Sequence, residues 1–552
     1  MTSSVHHLVI GSGASSATAI SVLAARPGHR VTVLDVGGSL EDERSDARTR
    51  MSMLPPDQWQ DPDLDLVSAR ATTTGSGSVP QKRSYGSDYP FRDLGQLRGV
   101  QTSGDEVNRD VISSAYGGFT TVWGAQLMPF SPATFEAWPV SWRDIEPHYR
   151  AVLAEVPLAG ETDDLAETFP LLEPRSGLPP LGPRAQDVLA RSARHRAALR
   201  RSGVVVGRAR LALRADGCIR CGLCMTGCPY SLIYSAAQTM DGLRRLPNVR
   251  YLGGLLAERI GQDGDEVVVR ARELSTGVLR EFRADRLFVG AGAVGTTRLV
   301  LGSLPGPSPA VELLESRQYL VPFLSRRGVA DPRGPHVRDF TLNQFNLLIT
   351  FDDRGLDTSQ VHCYPHNPAI AEALPRVLGS GAGRWLGDHV LDRLTVGFGY
   401  LPSWASPKVR VHVRPAATGG LPEVTLERCE DRTRPPMLRD ALRRLVRAAP
   451  RLDLWPVLSH VELSGAAKSY HFGGSFPHVP AGAGGTTPGT DRWGRLPAWD
   501  RVHLIDGSVL PTIASSTFTM TVMANAHRIA SEVLAGERTD VTAVPAADHR
   551  RP

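Results

Sequence analysis

From His6 to Gly37 the chain reads HHLVIGSGASSATAISVLAARPGHRVTVLDVG. A short apolar run ends in glycines, small residues at helical spacing follow, and a second apolar run closes at Asp35. That order predicts strand, tight turn, helix and strand, the first βαβ unit of a dinucleotide-binding fold. The pattern returns at RLFVGAGAVGTTRLVL, Arg286 to Leu301, and at RVHLIDGSVLPT, Arg501 to Thr512, which a helix follows through Leu534. These read as separate pieces of one sheet. From Ser39 to about Arg109 the sequence is polar, with glycine and proline and little periodicity, which predicts a long surface excursion or lid. The stretch from Val249 to Val289 is β-rich. Between about Ser303 and Leu463 period-two alternation, as in TLNQFNLLITF and KVRVHVRP, predicts an antiparallel sheet and hence a second domain inserted into the first. The expected division is therefore residues 1–302 for the main part of the dinucleotide-binding domain, including the excursion at about 39–109 and a cysteine-bearing segment at 214–235. Residues 303–463 form the inserted domain, 464–536 the returning part, and 537–552 a disordered tail.

Composition narrows the class. With 552 residues, 41% hydrophobic and 22% charged, the chain can bury more than one core. The net charge of +5 is carried almost wholly by arginine, the lysines being Lys82, Lys408 and Lys468. No basic run is interleaved with aromatics, so a nucleic-acid surface is not expected. No apolar stretch reaches the roughly 18–20 residues of a membrane span. The first apolar run leads into glycines, unlike a secretory signal. Four cysteines cluster while Cys363 and Cys429 stand alone, which suits a reducing compartment and predicts a cytoplasmic protein.

Two motifs carry chemistry. In the turn Gly11-Ser12-Gly13-Ala14-Ser15-Ser16, serine takes the third position of G-x-G-x-x-G. Backbone amides at the helix start are placed to take a pyrophosphate, and Asp35, about 20 residues on, the ribose hydroxyls. Gly11, Gly13, Ser15, Ser16 and Asp35 are the candidate contacts. The second motif is Cys218, Cys221, Cys224 and Cys228 followed by Pro229, spaced C-x2-C-x2-C-x3-C-P as in bacterial ferredoxins. Four thiolates from one looping segment can converge on an iron–sulfur cluster, whereas structural zinc more usually joins two separated arms. A [4Fe–4S] cluster is the leading reading; a reduced cysteine-rich loop or a zinc clip is the alternative.

The segments GGFTTVWGAQLMPF from Gly117, WPVSWRDIEPHYR from Trp138, AGAVGTTRLVL, YHFGG around His471, DGSVLPT and TVMANAHRIA resemble the glucose–methanol–choline oxidoreductases in order and spacing across nearly the whole chain. The resemblance implies an α/β fold, with a Rossmann-like FAD-binding domain built from non-contiguous segments and an inserted substrate domain carrying an antiparallel sheet. It places Gly117, Gly118, Thr121, Trp123 and Gly124 along the flavin, Ala291 and Gly292 against the cofactor, and Asp506 and Gly507 near its ribityl and phosphate portion. In the pyranose-oxidase branch a histidine directly before the tryptophan can bond to the flavin. Val122 stands there in this chain, so FAD is expected without a covalent bond. His471 is the expected base, with Gly473-Gly474 keeping the space above the ring open. Relatives place Asn or His a few residues after the equivalent of Pro511-Thr512. This chain offers Thr517 or Thr519 to orient substrate, or His478 as a substitute. Some cluster-bearing sugar dehydrogenases of the family hold three irons, which keeps [3Fe–4S] open.

The function so implied is an FAD-dependent alcohol dehydrogenase that oxidises a hydroxyl of a sugar, glycoside or related polyol. Electrons leave through the cluster to an external acceptor, a protein or a small molecule. The alternatives are an oxygen-dependent alcohol oxidase with structural cysteines, and a non-redox lyase that retains FAD.

Overall fold

The structure is a computed structural model describing residues 4–68, 82–94, 100–103, 107–306, 308–328, 340–364, 393–415, 420–429, 435–480 and 488–542. Its parallel sheet assembles from the three separated pieces. The strand Val5–Ile10 lies at the centre, with His29–Leu34 and Val249–Leu252 on one side and Arg286–Val289 and Val502–Leu504 on the other, all parallel. Leu8 and Val9 are fully buried, as a strand covered on both faces requires. The small residues of the helix Ala14–Ala24 let it pack closely beneath the long C-terminal helix Thr519–Thr542, where Ala17 and Ile20 meet Ala526, Ile529 and Ala530. That helix runs through Thr542; residues 543–552 of the expected tail lie outside the described residues.

The alternating segments form two antiparallel systems. Phe345–Thr350 belongs to a seven-stranded sheet ordered Trp455–Pro456, Gln318–Leu324, Leu394–Tyr400, Thr358–Tyr364, Phe345–Thr350 and Val204–Arg208, with Glu462–Leu463 also paired to Gln318–Leu324. The strand Val204–Arg208 reaches this sheet from before residue 303. Lys408–Arg414 lies elsewhere, between Val311–Glu315 and Glu423–Cys429, in a five-stranded sheet edged by Val100–Thr102 and Phe472–Gly473. Period two identifies a strand but not its partner, because either sheet would bury the same alternate valines. The β-rich stretch after Val249 likewise divides: its first strand joins the parallel sheet, and the next three form their own antiparallel meander.

The excursion after Ser39 contains the helices Asp42–Ser52 and Asp61–Ser68. The first buries just Ala47 and Met51, too few to mark an apolar stripe in the sequence, and these pack with Val67 of the second. Among the described residues no helix is long and apolar enough to cross a membrane.

Candidate active site

Where the parallel sheet meets the seven-stranded sheet there is a cavity of about 1260 Å³. The glycine turn forms part of its floor. Gly11 has φ +93°, and a Cβ there would stand 2.5 Å from the carbonyl oxygen of Gly290, so the turn is specific to glycine. Gly13 has nothing within 4 Å of a Cβ position and opens onto the cavity, as does Gly292 in the second turn. Each precedes a helix, Ala14–Ala24 and Ala293–Ser303, so two helix N-termini border one space, the Gly292 amide turning to the Asp506 carboxyl. Gly11, Ser15, Asp35 and Ala291 line it too. Ser16 does not: its hydroxyl reaches the carbonyls of Ile10 and Gly290 at 3.3 Å, and it packs helix against sheet, the task of the third glycine in the standard motif.

Asp35 lines the cavity while its Oδ2 accepts hydrogen bonds from Ser12 at 2.5 Å and Tyr251 at 2.9 Å; burial pushes its carboxyl up to about 6. Tyr251, on the last strand of the parallel sheet, carries no motif and is invisible to pattern reading. Asp506 is buried, its Oδ2 accepting from Thr296 at 2.5 Å and its Oδ1 from the Ser508 amide at 2.9 Å. Gly507, Gly118, Trp123 and Gly124 share this wall. Gly117 and Thr121 stand behind it. A Cβ at Gly117 would meet the Ala237 amide at 2.7 Å, and Thr121 turns its hydroxyl to the Gly118 carbonyl. The residues present fit a pyrophosphate-linked dinucleotide such as FAD: two glycine turns at helix starts, open space at Gly13 and Gly292, and the Asp35 carboxyl border one cavity.

His471 is delivered from the opposite side by a strained approach, with Ala467 and Tyr470 both left-handed at φ 58° and 56°. The carboxylate of Glu315, fully buried, pins this loop by accepting from the Ala467 amide at 3.0 Å and the Ser469 hydroxyl at 2.9 Å. Ser469 accepts in turn from the His471 amide at 3.1 Å, and the Ser316 amide donates to the His471 carbonyl at 2.8 Å. The imidazole lines the cavity, stacks on Tyr400 with centroids 4.7 Å apart, and meets the edge of Phe518 at 5.3 Å. Its Nδ1 has no hydrogen-bond partner, and burial lowers its pKa to about 4, so it is neutral at physiological pH. Gly473 and Gly474 do not hold open the space above a ring. A Cβ at Gly473 would stand 2.1 Å from the Gly507 carbonyl oxygen, so these glycines let two backbones touch.

Thr517 and Thr519 both line the cavity, and the Thr517 hydroxyl is buried without a partner. His478 is not a substitute. It is held within the protein by the Asp491 carbonyl at 2.6 Å and Asn525 at 3.1 Å. Three lining residues carry no sequence signal of their own: His362 and Tyr400 on the seven-stranded sheet, and Lys82, whose ammonium donates to the Trp123 carbonyl at 2.5 Å. Burial brings Lys82 down to about 8, with Cys224 opposing the shift.

The cysteine segment lies behind this wall and reaches the cavity through Met225. All six cysteines are free thiols. Tyr85 clasps the loop, its hydroxyl donating to the Cys228 carbonyl at 2.9 Å and its ring filling the space beside Gly227. Backbone amides at Arg220 and Leu223 turn to the sulfurs of Cys218 and Cys221, and those at Leu232, Tyr230 and Ile233 to Cys228. Burial raises all three of these thiols, Cys221 to about 12, and the neighbouring cysteines add to the rise. Yet among the described residues no three Cys, His, Asp or Glu side chains stand together in a metal-holding group. The loop presents amide donors to sulfur but does not gather the four sulfurs.

No protein-family model and no curated protein matches the sequence. Among solved structures the chain is similar to pyridoxine 4-oxidase from Mesorbium loti, at 14% identity and a TM-score of 0.59 over 96% of this chain and 99% of that one. It is also similar to an FAD-dependent oxidoreductase from Chaetomium thermophilum, at 13% identity and a TM-score of 0.57 over 97% and 100%. At such identity the likeness speaks for architecture: over nearly its whole length this chain has the α/β fold of these oxidoreductases, parallel sheet and antiparallel sheet together.

Proposed function

We propose that the protein is an FAD-dependent alcohol oxidoreductase in which His471 takes the substrate's hydroxyl proton. The observation that carries this is a neutral imidazole with an unpartnered nitrogen, in one cavity with two glycine-opened helix N-termini. Bound FAD would supply the hydride acceptor, so that as the O–H proton moves to imidazole the C–H electron pair leaves with its hydrogen and a carbonyl forms. Thr517 and Thr519 orient the substrate oxygen; threonine is a hydrogen-bonding group and no base at neutral pH. Val122 offers no nucleophile to the ring, which supports non-covalent FAD. Aromatic walls from Tyr364, Phe398 and Tyr400 suit the C–H face of a ring, and the polar side chains of Gln318, Thr517 and Thr519 on the same lining suit its hydroxyls, so a sugar, glycoside or cyclic polyol is the proposed substrate class. The test is anaerobic titration of the oxidised, yellow protein with D-glucose, glycerol, myo-inositol and pyridoxine. At least one should bleach the flavin band, an outcome the lyase reading does not allow. His471→Ala should keep its FAD and lose bleaching by about 10²–10⁴-fold; equal bleaching by the variant would remove His471 from this role.

Cys218, Cys221, Cys224 and Cys228 are the proposed ligands of an iron–sulfur cluster, [4Fe–4S] or, with three of them, [3Fe–4S], which would supply a one-electron exit to an external acceptor. Amide donors at the sulfurs and the loop's contact with the cavity at Met225 support this reading. The ungathered thiols favour the second reading, an oxidase whose cysteines are structural, and the oxidase among the structural neighbours supports it as well. Iron and acid-labile sulfide in protein purified without air separate the two: stoichiometric amounts carry the cluster, and their absence with rapid oxygen uptake carries the oxidase. Free thiols suit a reducing, cytoplasmic setting.

A further inference from the structure

We propose that His362 is a second substrate-facing imidazole, donating a hydrogen bond to the same oxygen whose proton His471 removes. The inference rests on the alcohol-oxidoreductase reading and adds to it a catalytic group from the inserted part of the chain.

The argument begins with register. In the seven-stranded sheet His362 is aligned with Phe398, and Gln360 with Tyr400, which is also aligned with Gln318. Alternate residues of neighbouring strands point to one face. That face is the cavity wall, since Gln318, His362, Phe398 and Tyr400 all line it. A sheet face buried in a protein is ordinarily apolar. Here His362 is 2% exposed and its Nε2 has no hydrogen-bond partner, which is unfavourable for a buried polar atom. Such a group calls for a reason, and at a cavity wall a bound oxygen supplies one.

Tyr400 fixes where that something sits. Its ring lies 4.7 Å from His471 and 4.9 Å from His362, so the two imidazoles converge on one tyrosine from two different parts of the chain. Burial lowers both histidines, and burial together with repulsion from His471 brings His362 to about 3. Both are therefore neutral, and one proton added to the pair discourages a second. A neutral imidazole has one N–H and one bare nitrogen. With His471 presenting the bare nitrogen to the hydroxyl, the N–H of His362 is free to donate to the oxygen as its bond to carbon shortens. When the O–H bond breaks, the proton goes to His471, while the hydrogen and electron pair of the C–H bond would pass to bound oxidised FAD; the oxygen keeps its bond from His362 throughout. A donor aimed at an oxygen that gathers negative charge is worth about 10²–10³ in rate.

Two variants and one chemical probe test this in the FAD-loaded protein. His362→Gln keeps an N–H donor of similar reach, and His362→Phe keeps the bulk and aromatic contact with Tyr400 without a donor. With the fastest alcohol of D-glucose, glycerol, myo-inositol and pyridoxine, His362→Phe should lower the limiting rate of bleaching about 100-fold with FAD content unchanged, and His362→Gln should recover about tenfold of that. Equal rates in the Phe variant and the parent would overturn the proposal. The probe is diethyl pyrocarbonate, which acylates accessible neutral imidazoles, read by peptide mass on the unreacted oxidised protein. His362 and His471 should be modified together and ahead of His478. An unmodified His362 beside a modified His471 would overturn the proposal even if no alcohol of the set bleaches the flavin, in which case the alcohol-oxidoreductase reading fails separately.

Discussion

The glycine-lined cavity and the cysteine loop lie side by side and are built on opposite plans. In the cavity each anchor already has its partners: Asp506 its threonine and amide, Asp35 its serine and tyrosine, the turn its glycine against the Gly290 carbonyl. Folding the sheet makes the site, with or without a ligand. The loop is wound through left-handed residues, Arg220 and Ser231 among them, and leaves its sulfurs ungathered. Four thiolates repel one another, so their convergence needs a cation to oppose that repulsion. A ligand recognised by backbone geometry can find a finished site, whereas one recognised by like charges must complete its own.

The largest effects should come from glycines that are alike in the motif and unlike in the structure. Gly11→Ala forces a Cβ against backbone at a left-handed φ, which costs about 1–3 kcal/mol in dihedral strain alone and displaces the Gly290 strand end. We expect a sharply lowered thermal midpoint and no bound FAD. Gly13→Ala meets nothing in the protein and sits in ordinary backbone, so the ligand-free protein should melt within a few degrees of the parent. Its added methyl faces the pyrophosphate position, and FAD affinity should fall by about 100-fold or more, read by fluorescence of released flavin. If both variants bind FAD normally, the cavity is not the dinucleotide site.

Next in size is the device that holds His471. Glu315→Gln keeps the shape of the carboxylate but replaces one acceptor with a donor facing the Ala467 amide or the Ser469 hydroxyl. The left-handed loop loses its pin, and the imidazole drifts while FAD remains. Misplacement of about 1 Å costs on the order of 100-fold, so the limiting rate of bleaching should fall by about 10–100-fold with little change in half-saturation. A larger effect on half-saturation than on rate would mean that Glu315 shapes binding instead.

The pH dependence of bleaching should be smaller still near neutrality. His471 works as neutral imidazole, and burial moves its pKa from 6.5 to about 4. The rate should therefore be level from pH 8 through 6 and fall only as pH approaches 4. The same shift makes stability depend on pH: the histidine's contribution is whole above 6.5 and is lost as pH falls toward 4, at about 1.4 kcal/mol per pH unit. An acid limb centred near 6.5 would mean that the imidazole is solvated.

The two plans also explain what could be read from the chain. The parallel sheet was legible because strand, glycine turn and helix are local in sequence, and Gly11, Gly13, Gly292 and Asp506 line one cavity at its edge. The cavity's far wall was not. His362 sits in SQVHCYP, an unremarkable alternating strand, and only its register against Phe398 and Tyr400 aims it at the site. Tyr251 and Lys82 depend likewise on contacts across about 200 and 40 residues. Ser16 and Gly117 erred the other way: motif positions that pack elements together look the same in sequence as those that touch a ligand. The cysteine spacing was the most legible signal of all and is the least formed feature of the structure, because spacing reports which ligands are available and not whether they have met.

The smallest expected effect on the flavin is the sharpest test of that separation. Of the four clustered cysteines Cys221 is pushed up furthest, to about 12, and is an uncharged thiol at neutral pH, so serine changes neither charge nor much size in the ligand-free loop. Cys221→Ser should leave FAD content, thermal midpoint of the ligand-free protein, and anaerobic bleaching within about twofold of the parent, since no cysteine of the four lines the cavity. If the loop carries a cluster, the same variant should lose iron and slow reoxidation by an added one-electron acceptor, while oxygen-driven reoxidation is untouched. If the thiols are structural, iron is absent from both proteins and neither route changes. A variant that loses FAD would show that the loop props the cavity wall through Met225 and Tyr85, and that the two regions are one site after all.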